Sequence, residues 1–123
     1  MTVERTMRIG EVTERTELSN RTLHHYEEIG LLVPSARTEG GFRLYTESDV
    51  SRILLIRRMK PLGYSLEEMR ELLDVVEHLA DEPDDPEFQL RLRRIREGAA
   101  DRREKLGKQL EMADEFIEQL ARV

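Results

Sequence analysis

Apolar residues recur at three- and four-residue steps along most of the chain, which is typical of helices with one buried face. In the first third the pattern is short and interrupted, and it predicts two small helices, a tight turn between them and a hairpin with Gly40 and Gly41 at its tip. Ser19 is a suitable N-cap for the second helix, and Gly30 a suitable left-handed residue after it. This order of elements predicts a winged helix-turn-helix, a fold that binds duplex DNA.

Two further helices are predicted after the hairpin. Thr46 and Asp49 match a capping box that opens the third helix, Pro61 and Gly63 end it, and Ser65 opens the fourth. Their buried faces are expected to consist of Val50, Ile53, Leu54, Ile56, Met59, Leu66, Met69, Leu72, Leu73 and Val76. Residues 1–80 are therefore predicted to form one domain of four short helices and a hairpin.

The acidic, proline-containing segment 81–86 interrupts the pattern and predicts a linker. Residues 87–123 then repeat apolar side chains at alternating steps of three and four, with no residue that forces a stop. A small domain cannot cover the row of apolar side chains along so long and charged a helix. We therefore expect the helix to pair with the same helix of a second subunit. The stripe predicted to mediate dimerisation consists of Leu92, Ile95, Ala99, Leu106, Leu110, Ala113, Ile117 and Leu120.

The formal net charge of −6 does not by itself suggest a nucleic-acid partner. Residues 1–64 hold 10 Lys and Arg against 9 Asp and Glu, whereas residues 65–123 hold 10 against 17. DNA binding must therefore come from a local basic face. The absence of cysteine excludes disulfides and thiolate metal sites, and no apolar run is long enough for a membrane helix. A cytoplasmic protein, associated with the nucleoid through DNA and without a membrane partner, is expected.

Several segments occur in the order found in a known family. They are Ile9 to Val12, Arg21 to Leu23, Tyr26 to Leu32, Gly41 to Tyr45 and Leu62 to Met69. Over about residues 7–75 the chain resembles the MerR family of bacterial transcriptional regulators. The resemblance implies a mainly α fold, in which a winged helix-turn-helix domain with a β-hairpin wing precedes a long C-terminal dimerisation helix that forms an antiparallel coiled coil.

The same resemblance implies a function. A homodimer would bind an inverted repeat in promoter DNA sequence-specifically and distort it, so that RNA polymerase can engage the promoter. An architectural or excisionase-like DNA-bending protein is the alternative, and a protein-interaction module with an acidic helical tail is a second. Neither the cysteines nor the large ligand domain of sensing relatives is found, so regulation by abundance alone is slightly favoured over an unknown small-molecule effector.

Candidates for DNA contact lie on the second helix, in the wing and at the end of the third helix. Arg21 is suited to two parallel bonds with guanine or to a phosphate contact, and the residue type does not decide between them. The resemblance implies phosphate contacts for Tyr26, Arg37, Arg43 and Lys60. The full predicted set is Asn20, Arg21, His24, His25, Tyr26, Arg37, Arg43, Tyr45 and Lys60. Phe42 is expected mainly to pack the wing onto the domain, and Arg57 and Arg58 to form a solvated face.

Histidines stand at two positions where the family has other residues. His24 replaces a common arginine and His25 a common aromatic, which is expected to weaken backbone binding or make it pH-dependent. Adjacent helical residues point about 100° apart, so this pair is not expected to hold a metal ion. His78 is expected to be a surface histidine, and the acidic residues 81–85 to lack a histidine partner. No catalytic site, metal site or cofactor is predicted.

Overall fold

The computed structural model describes residues 5–123 and is mainly helical, with a small sheet as its wing. The elements are β1 (Met7–Arg8), α1 (Ile9–Thr16), α2 (Asn20–Glu28), β2 (Ala36–Arg37), β3 (Arg43–Tyr45), α3 (Glu47–Met59), a one-turn 3-10 helix (Lys60–Leu62), α4 (Leu66–Asp81) and α5 (Pro86–Ala121). The predicted mainly α fold with a winged helix-turn-helix and a long C-terminal helix is confirmed. None of the helices in the described part is long and apolar enough to cross a membrane.

The chain divides into two compact units, residues 1–71 and 72–123, and each is described by itself. This division lies inside α4, whereas the sequence predicted a domain boundary after residue 80. The predicted break at 81–86 coincides with the end of α4 at Asp81 and the start of α5 at Pro86. The domain limits 1–80 and 87–123 themselves stay predictions.

Both ends of α2 have the predicted caps. The Ser19 hydroxyl accepts a hydrogen bond from the backbone N–H of Thr22 at 3.1 Å. At the other end, Gly30 has a φ of 78°, and the Leu31 N–H donates to the Tyr26 carbonyl at 2.9 Å. This is the hydrogen bond of a Schellman motif, and both of these apolar residues are buried, as that motif favours. Local capping therefore defines the length of this helix.

The wing is a three-stranded antiparallel sheet, whereas a hairpin alone was predicted. β3 lies between β1 and β2, and Arg37 pairs with Arg43 across the hairpin. β1 was missed because a strand of two residues has no alternation that a sequence pattern reveals. Of the two glycines at the tip, Gly41 has a positive φ, of 82°, and Gly40 does not.

The core of the first unit gathers apolar side chains from every helix and from the wing. The side chains exposed by 1% or less are Val12, Leu23, Leu31, Leu32, Tyr45, Ile53 and Ile56. Burying each aliphatic side chain of this size contributes roughly 1.5–3 kcal/mol. The predicted capping box of α3 is also present. The Asp49 carboxylate accepts the Thr46 N–H at 2.9 Å, and the Thr46 hydroxyl accepts the Asp49 N–H at 3.2 Å.

Two arginines satisfy carbonyls at the ends of neighbouring helices. Arg57 of α3 donates to the Thr16 carbonyl at 2.8 Å, and Arg70 of α4 donates to the Ile29 carbonyl at 2.6 Å. The C-terminal end of a helix carries partial negative charge, so an arginine beside it stabilises the helix. Arg57 and Arg58 are both exposed, as a solvated face requires, but Arg57 also binds the end of α1.

α5 is a helix of 36 residues. Asp85 is its N-cap and Pro86 its first residue, and the Asp85 carboxylate accepts the Glu87 N–H at 3.0 Å. At about 1.5 Å per residue the helix is roughly 54 Å long. None of its side chains is fully buried in the single chain, and the later part of its apolar stripe, Leu106, Leu110, Ile117 and Leu120, is exposed.

Candidate nucleic-acid interface

The first turn of α2 differs from that of the other α-helices. It contains no acidic residue, whereas the first turns of α1, α3, α4 and α5 each contain at least one. The backbone N–H groups at a helix N-terminus carry partial positive charge, which acidic side chains in the first turn would offset. Asn20 and Arg21 are exposed on this turn. This end of α2 is therefore electrically suited to an anion such as phosphate.

The start of α2 and the wing line one small cavity of about 160 Å³, which we call the wing cavity. Its walls are formed by Arg8, Ile9, Asn20, His24, Gly41, Phe42 and Arg43. The structure therefore brings two predicted contact residues of α2, Asn20 and His24, together with Arg43 of the wing. Sequence reasoning missed Arg8, because only the unpredicted strand β1 positions it beside the wing.

Phe42 is 61% exposed, so the expectation that it packs the wing onto the domain is wrong. The guanidinium of Arg8 lies 5.3 Å from the centre of its ring, which is a cation–π distance. The Phe42 N–H donates to the Thr38 hydroxyl at 3.1 Å, and Arg37 donates to the Gly41 carbonyl at 3.0 Å. These bonds fix the tip and hold an exposed aromatic ring beside two exposed arginines.

The carboxylate of Glu27 joins α2 to the wing. Its Oε1 accepts a hydrogen bond from the Tyr45 hydroxyl at 2.6 Å, and its Oε2 lies 2.7 Å from Nε of Arg43. The Arg43 contact is an ion pair without hydrogen-bond alignment. The side chain of Arg43 is 30% exposed and that of Glu27 13%, so this pair is screened less by water than a surface pair. Part of the Arg43 charge is therefore balanced inside the protein.

Tyr45 is 0% exposed, which contradicts its prediction as a DNA-contact residue. A ring enclosed on all sides cannot touch a phosphate or a sugar without opening the core. Burial, followed by the hydrogen bond to Glu27, raises the pKa of the Tyr45 hydroxyl well above its ordinary value. Tyr45 is a core residue that positions the wing, and we omit it from the interface.

A second, larger cavity of about 340 Å³ lies beside the end of α3, and we call it the α3 cavity. It is lined by His25, Tyr26, Ile29, Leu31, Ile56, Lys60, Tyr64, Leu66 and Met69. Three predicted contact residues, His25, Tyr26 and Lys60, therefore meet here. The Tyr26 ring is 3% exposed and burial raises its pKa, whereas Lys60 is exposed. Only a small part of Tyr26 is therefore open to a ligand.

His78 is not an isolated surface histidine. Its Nε2 lies 2.8 Å from Oδ2 of Asp85 and 3.7 Å from Oε2 of Glu82, and its ring stacks on Phe88 with centroids 3.6 Å apart. The histidine bond lowers the pKa of the Asp85 carboxyl. The expectation that no histidine accompanies the acidic residues 81–85 is therefore wrong. The four-residue spacing from His78 to Glu82 was the available signal.

Comparison with known proteins gives this winged helix-turn-helix a family. A family model described as "MerR HTH family regulatory protein" matches residues 7–75, and one described as "MerR, DNA binding" matches residues 50–123. The chain belongs to the MerR family, as its sequence resemblance implied.

Individual curated relatives match this chain over little more than half of its length. Nodulation protein NolA of Bradyrhizobium elkanii is 47% identical over 77 residues, which is 63% of this chain and 35% of NolA. The HTH-type transcriptional regulator ZntR of Escherichia coli K12 is 48% identical over 68 residues, 55% of this chain and 48% of ZntR. The matched segment thus spans about a third to a half of these curated relatives.

Solved structures extend the likeness along most of the chain. MtaN, the N-terminal part of the Bacillus subtilis multidrug transporter activator, is 35% identical with a TM-score of 0.61, covering 94% of this chain and 95% of that one. HiNmlR, a MerR family regulator lacking the sensor domain and bound to promoter DNA, has a TM-score of 0.70 at 22% identity, covering 89% and 80%. At that identity the likeness to HiNmlR concerns the fold alone.

The contact between Tyr45 and Glu27 predicts a loss of stability in Tyr45→Phe. Removing a hydrogen bond to a charged acceptor should lower the free energy of unfolding by about 1.5–3 kcal/mol. Tyr26→Phe is the matched control, because Tyr26 is similarly buried but its hydroxyl has no carboxylate partner. Chemical denaturation at fixed protein concentration measures both. Equal losses in the two variants would contradict the assigned role of Glu27.

The burial of Tyr45, followed by its bond to Glu27, also gives a pH dependence. Because the pKa of Tyr45 is raised in the folded state, the unfolded chain ionises first as pH rises. The stability contributed by Tyr45 is therefore complete below pH 10 and decreases above it. Tyr45→Phe should reduce the slope of this alkaline loss relative to the wild type, in unfolding curves measured from pH 8 to 11.

Proposed function

We propose that the chain is a sequence-specific DNA-binding transcriptional regulator that binds an inverted repeat in promoter DNA as a homodimer. The observation on which this rests is the exposed first turn of α2, which bears Asn20 and Arg21, contains no acidic residue and adjoins the wing cavity. This arrangement presents a helix N-terminus and cations to one anionic ligand. Family membership supports the same function.

The second helix of a helix-turn-helix enters the major groove with its N-terminal residues towards the bases. In that pose Arg21 contacts a guanine edge or a phosphate, and Asn20 and His24 lie beside it at the wing cavity. Arg8, Arg37 and Arg43 of the wing contact the flanking backbone. Since Glu27 balances part of the Arg43 charge, Arg37 and Arg8 contribute more to phosphate attraction than Arg43 does.

The α3 cavity provides a second backbone contact. Lys60 is exposed at the end of α3, and His25 and the open part of Tyr26 adjoin it. A phosphate held there would touch one full positive charge and two groups able to form hydrogen bonds. The proposed contact set is Arg8, Asn20, Arg21, His24, His25, Tyr26, Arg37, Arg43 and Lys60.

The dimer part of the proposal rests on the exposed stripe of α5. Leu106, Leu110, Ile117 and Leu120 are 44%, 64%, 65% and 53% exposed in the single chain. Pairing with the same helix of a second subunit, as the antiparallel coiled coil that the family resemblance implies, would cover these side chains. A dimer of fixed spacing selects two half-sites and can deform the DNA between them at base pairs that it never touches.

A relative of named function supports a regulatory role: ZntR of Escherichia coli, 48% identical over the matched segment, is a transcriptional regulator. By analogy, the protein acts on the chromosome in the cytoplasm, and RNA polymerase engages the promoter that it has distorted.

The experiment that tests the proposal is selection of bound fragments from sheared genomic DNA by the purified chain at near-physiological salt, followed by footprinting. A few inverted-repeat sites inside promoters, each protected symmetrically about its centre, would support the regulator. Weak binding to fragments of all sequences would contradict sequence specificity and support the architectural alternative.

Arg21→Ala should weaken binding to the selected site by about 1–3 kcal/mol. If Arg21 contacts a base, the loss on random DNA should be smaller, because random DNA has few guanines in register. Arg58→Ala is the matched control, since it removes an exposed arginine outside the proposed contact set. Titrations by fluorescence anisotropy give the affinities, and an equal loss on both DNAs would assign Arg21 to phosphate contact.

Lys60→Ala should weaken binding to specific and random DNA alike. Loss of one phosphate contact should reduce the slope of log K against log salt by roughly one unit. Lys105→Ala, an exposed lysine on α5, is expected to leave the slope unchanged. A Lys60→Ala slope equal to that of the wild type would remove Lys60 from the proposed contact set.

Leu110→Glu should weaken dimerisation at least tenfold, or about 1.4 kcal/mol, because a carboxylate would enter the apolar seam. Met112→Glu is the matched control: Met112 is 69% exposed on the same helix but lies outside the predicted stripe. Sedimentation equilibrium measures both association constants. If the wild type is a monomer, or if both variants dimerise equally well, the proposed seam is wrong.

A further inference from the structure

We propose that His78, Glu82 and Asp85 form a binding site for a divalent transition-metal ion of the zinc class. The site lies where α4 ends and α5 begins, and all three residues belong to the second unit. It is independent of the proposed DNA-binding function, and the sequence alone predicted no metal site.

The distances between the donor atoms suit one ion. Nε2 of His78 lies 2.8 Å from Oδ2 of Asp85 and 3.7 Å from Oε2 of Glu82, and one ligand atom from each residue lies within 4.8 Å of the others. Ligands at about 2.0–2.2 Å around a tetrahedral zinc ion are roughly 3.3–3.5 Å apart. Small side-chain rotations would therefore bring the three donors to the spacing that such an ion requires.

The surroundings of two donors restrict their motion before any ion binds. The ring of His78 stacks on Phe88 at 3.6 Å with an interplanar angle of 19°. The other oxygen of Asp85, Oδ1, accepts the Glu87 N–H at 3.0 Å, so Oδ2 is directed towards the histidine. Ligands in metal sites are commonly oriented by such outer contacts. The side chain of Glu82 is 69% exposed by contrast, so fewer contacts restrict it.

The chemistry of the donors indicates the class of ion. One imidazole with two carboxylates suits zinc, nickel and cobalt, whereas magnesium and calcium prefer oxygen alone. Two carboxylates neutralise the charge of a divalent ion, and the side chains of His78 and Asp85 are 32% and 22% exposed, which leaves room for a water ligand. Three protein ligands and an open fourth position form such a site.

Binding of the ion would connect the last turn of α4 to the N-cap of α5. In the absence of metal the side chains of His78 and Asp85 are joined by a hydrogen bond across this connection. The metal would replace that bond and add Glu82 to the same cluster. Because metal binds the folded arrangement, it should raise the temperature of unfolding.

The test is calorimetric titration of the untagged, metal-free full chain with zinc, repeated with cobalt to record its visible absorption. One ion per chain is expected, with a cobalt spectrum that includes a nitrogen ligand. His78→Gln and Asp85→Asn should each weaken zinc binding at least about tenfold. Asn caps helices as well as Asp does, so Asp85→Asn should keep α5 intact, which circular dichroism checks.

Two matched controls separate this site from other donors. Asp84→Asn removes a neighbouring exposed linker carboxylate, and His24→Gln removes a histidine of the first unit; neither should change zinc affinity. The imidazole proton signals that disappear in His78→Gln should be those that shift with zinc in the wild type. The proposal is overturned if zinc does not bind saturably, if binding survives His78→Gln, or if a control variant loses affinity equally.

Discussion

The position of the wing relative to α2 depends on one carboxylate, that of Glu27. It accepts the hydroxyl of Tyr45 at 2.6 Å and pairs with Arg43 at 2.7 Å, so that two residues of β3 are fixed to the last turns of α2. In a winged helix-turn-helix, helix and wing must meet the groove and the backbone at the same time. The hydrogen bond from Tyr45 to Glu27 is directional, and the partly buried ion pair with Arg43 adds a second attachment, so the two contacts together hold this relation.

The same carboxylate gives α2 an electrical asymmetry. Its first turn has no acidic residue, and its last turn holds Glu27 and Glu28. The C-terminal end of a helix carries partial negative charge, so acidic side chains there are repelled and destabilise the helix. Arg70 reduces this repulsion by donating a hydrogen bond to the Ile29 carbonyl. The contacts of Glu27 with Tyr45 and Arg43 of the wing offset the remaining repulsion. The positive end of α2 remains open towards an anionic ligand.

Features fixed by neighbours in sequence were predictable, and features fixed by distant contacts were not. The caps at Ser19 and Gly30 depend on hydrogen bonds within a few residues, and the structure contains both. The burial of Tyr45 depends on Glu27, 18 positions earlier, and a strand pattern contains no information about that partner. Phe42 was misjudged for the same reason, since its neighbour Arg8 lies on a strand too short to predict. His78 and Asp85 are an intermediate case, seven residues apart across a helix break.

The net charge of −6 is a poor guide to what this surface binds. At physiological ionic strength the field of an exposed charge decays over about 8 Å, so a phosphate responds mainly to groups beside it. Of the 26 acidic residues, 17 lie in residues 65–123, on α4, α5 and the turn between them. The exposed cations Arg8, Arg21 and Arg37 lie at or beside the wing and the start of α2. In a chain whose charges are distributed so unevenly, the charge of the local surface determines which partner binds there. The net charge of the whole chain describes only the average over both halves.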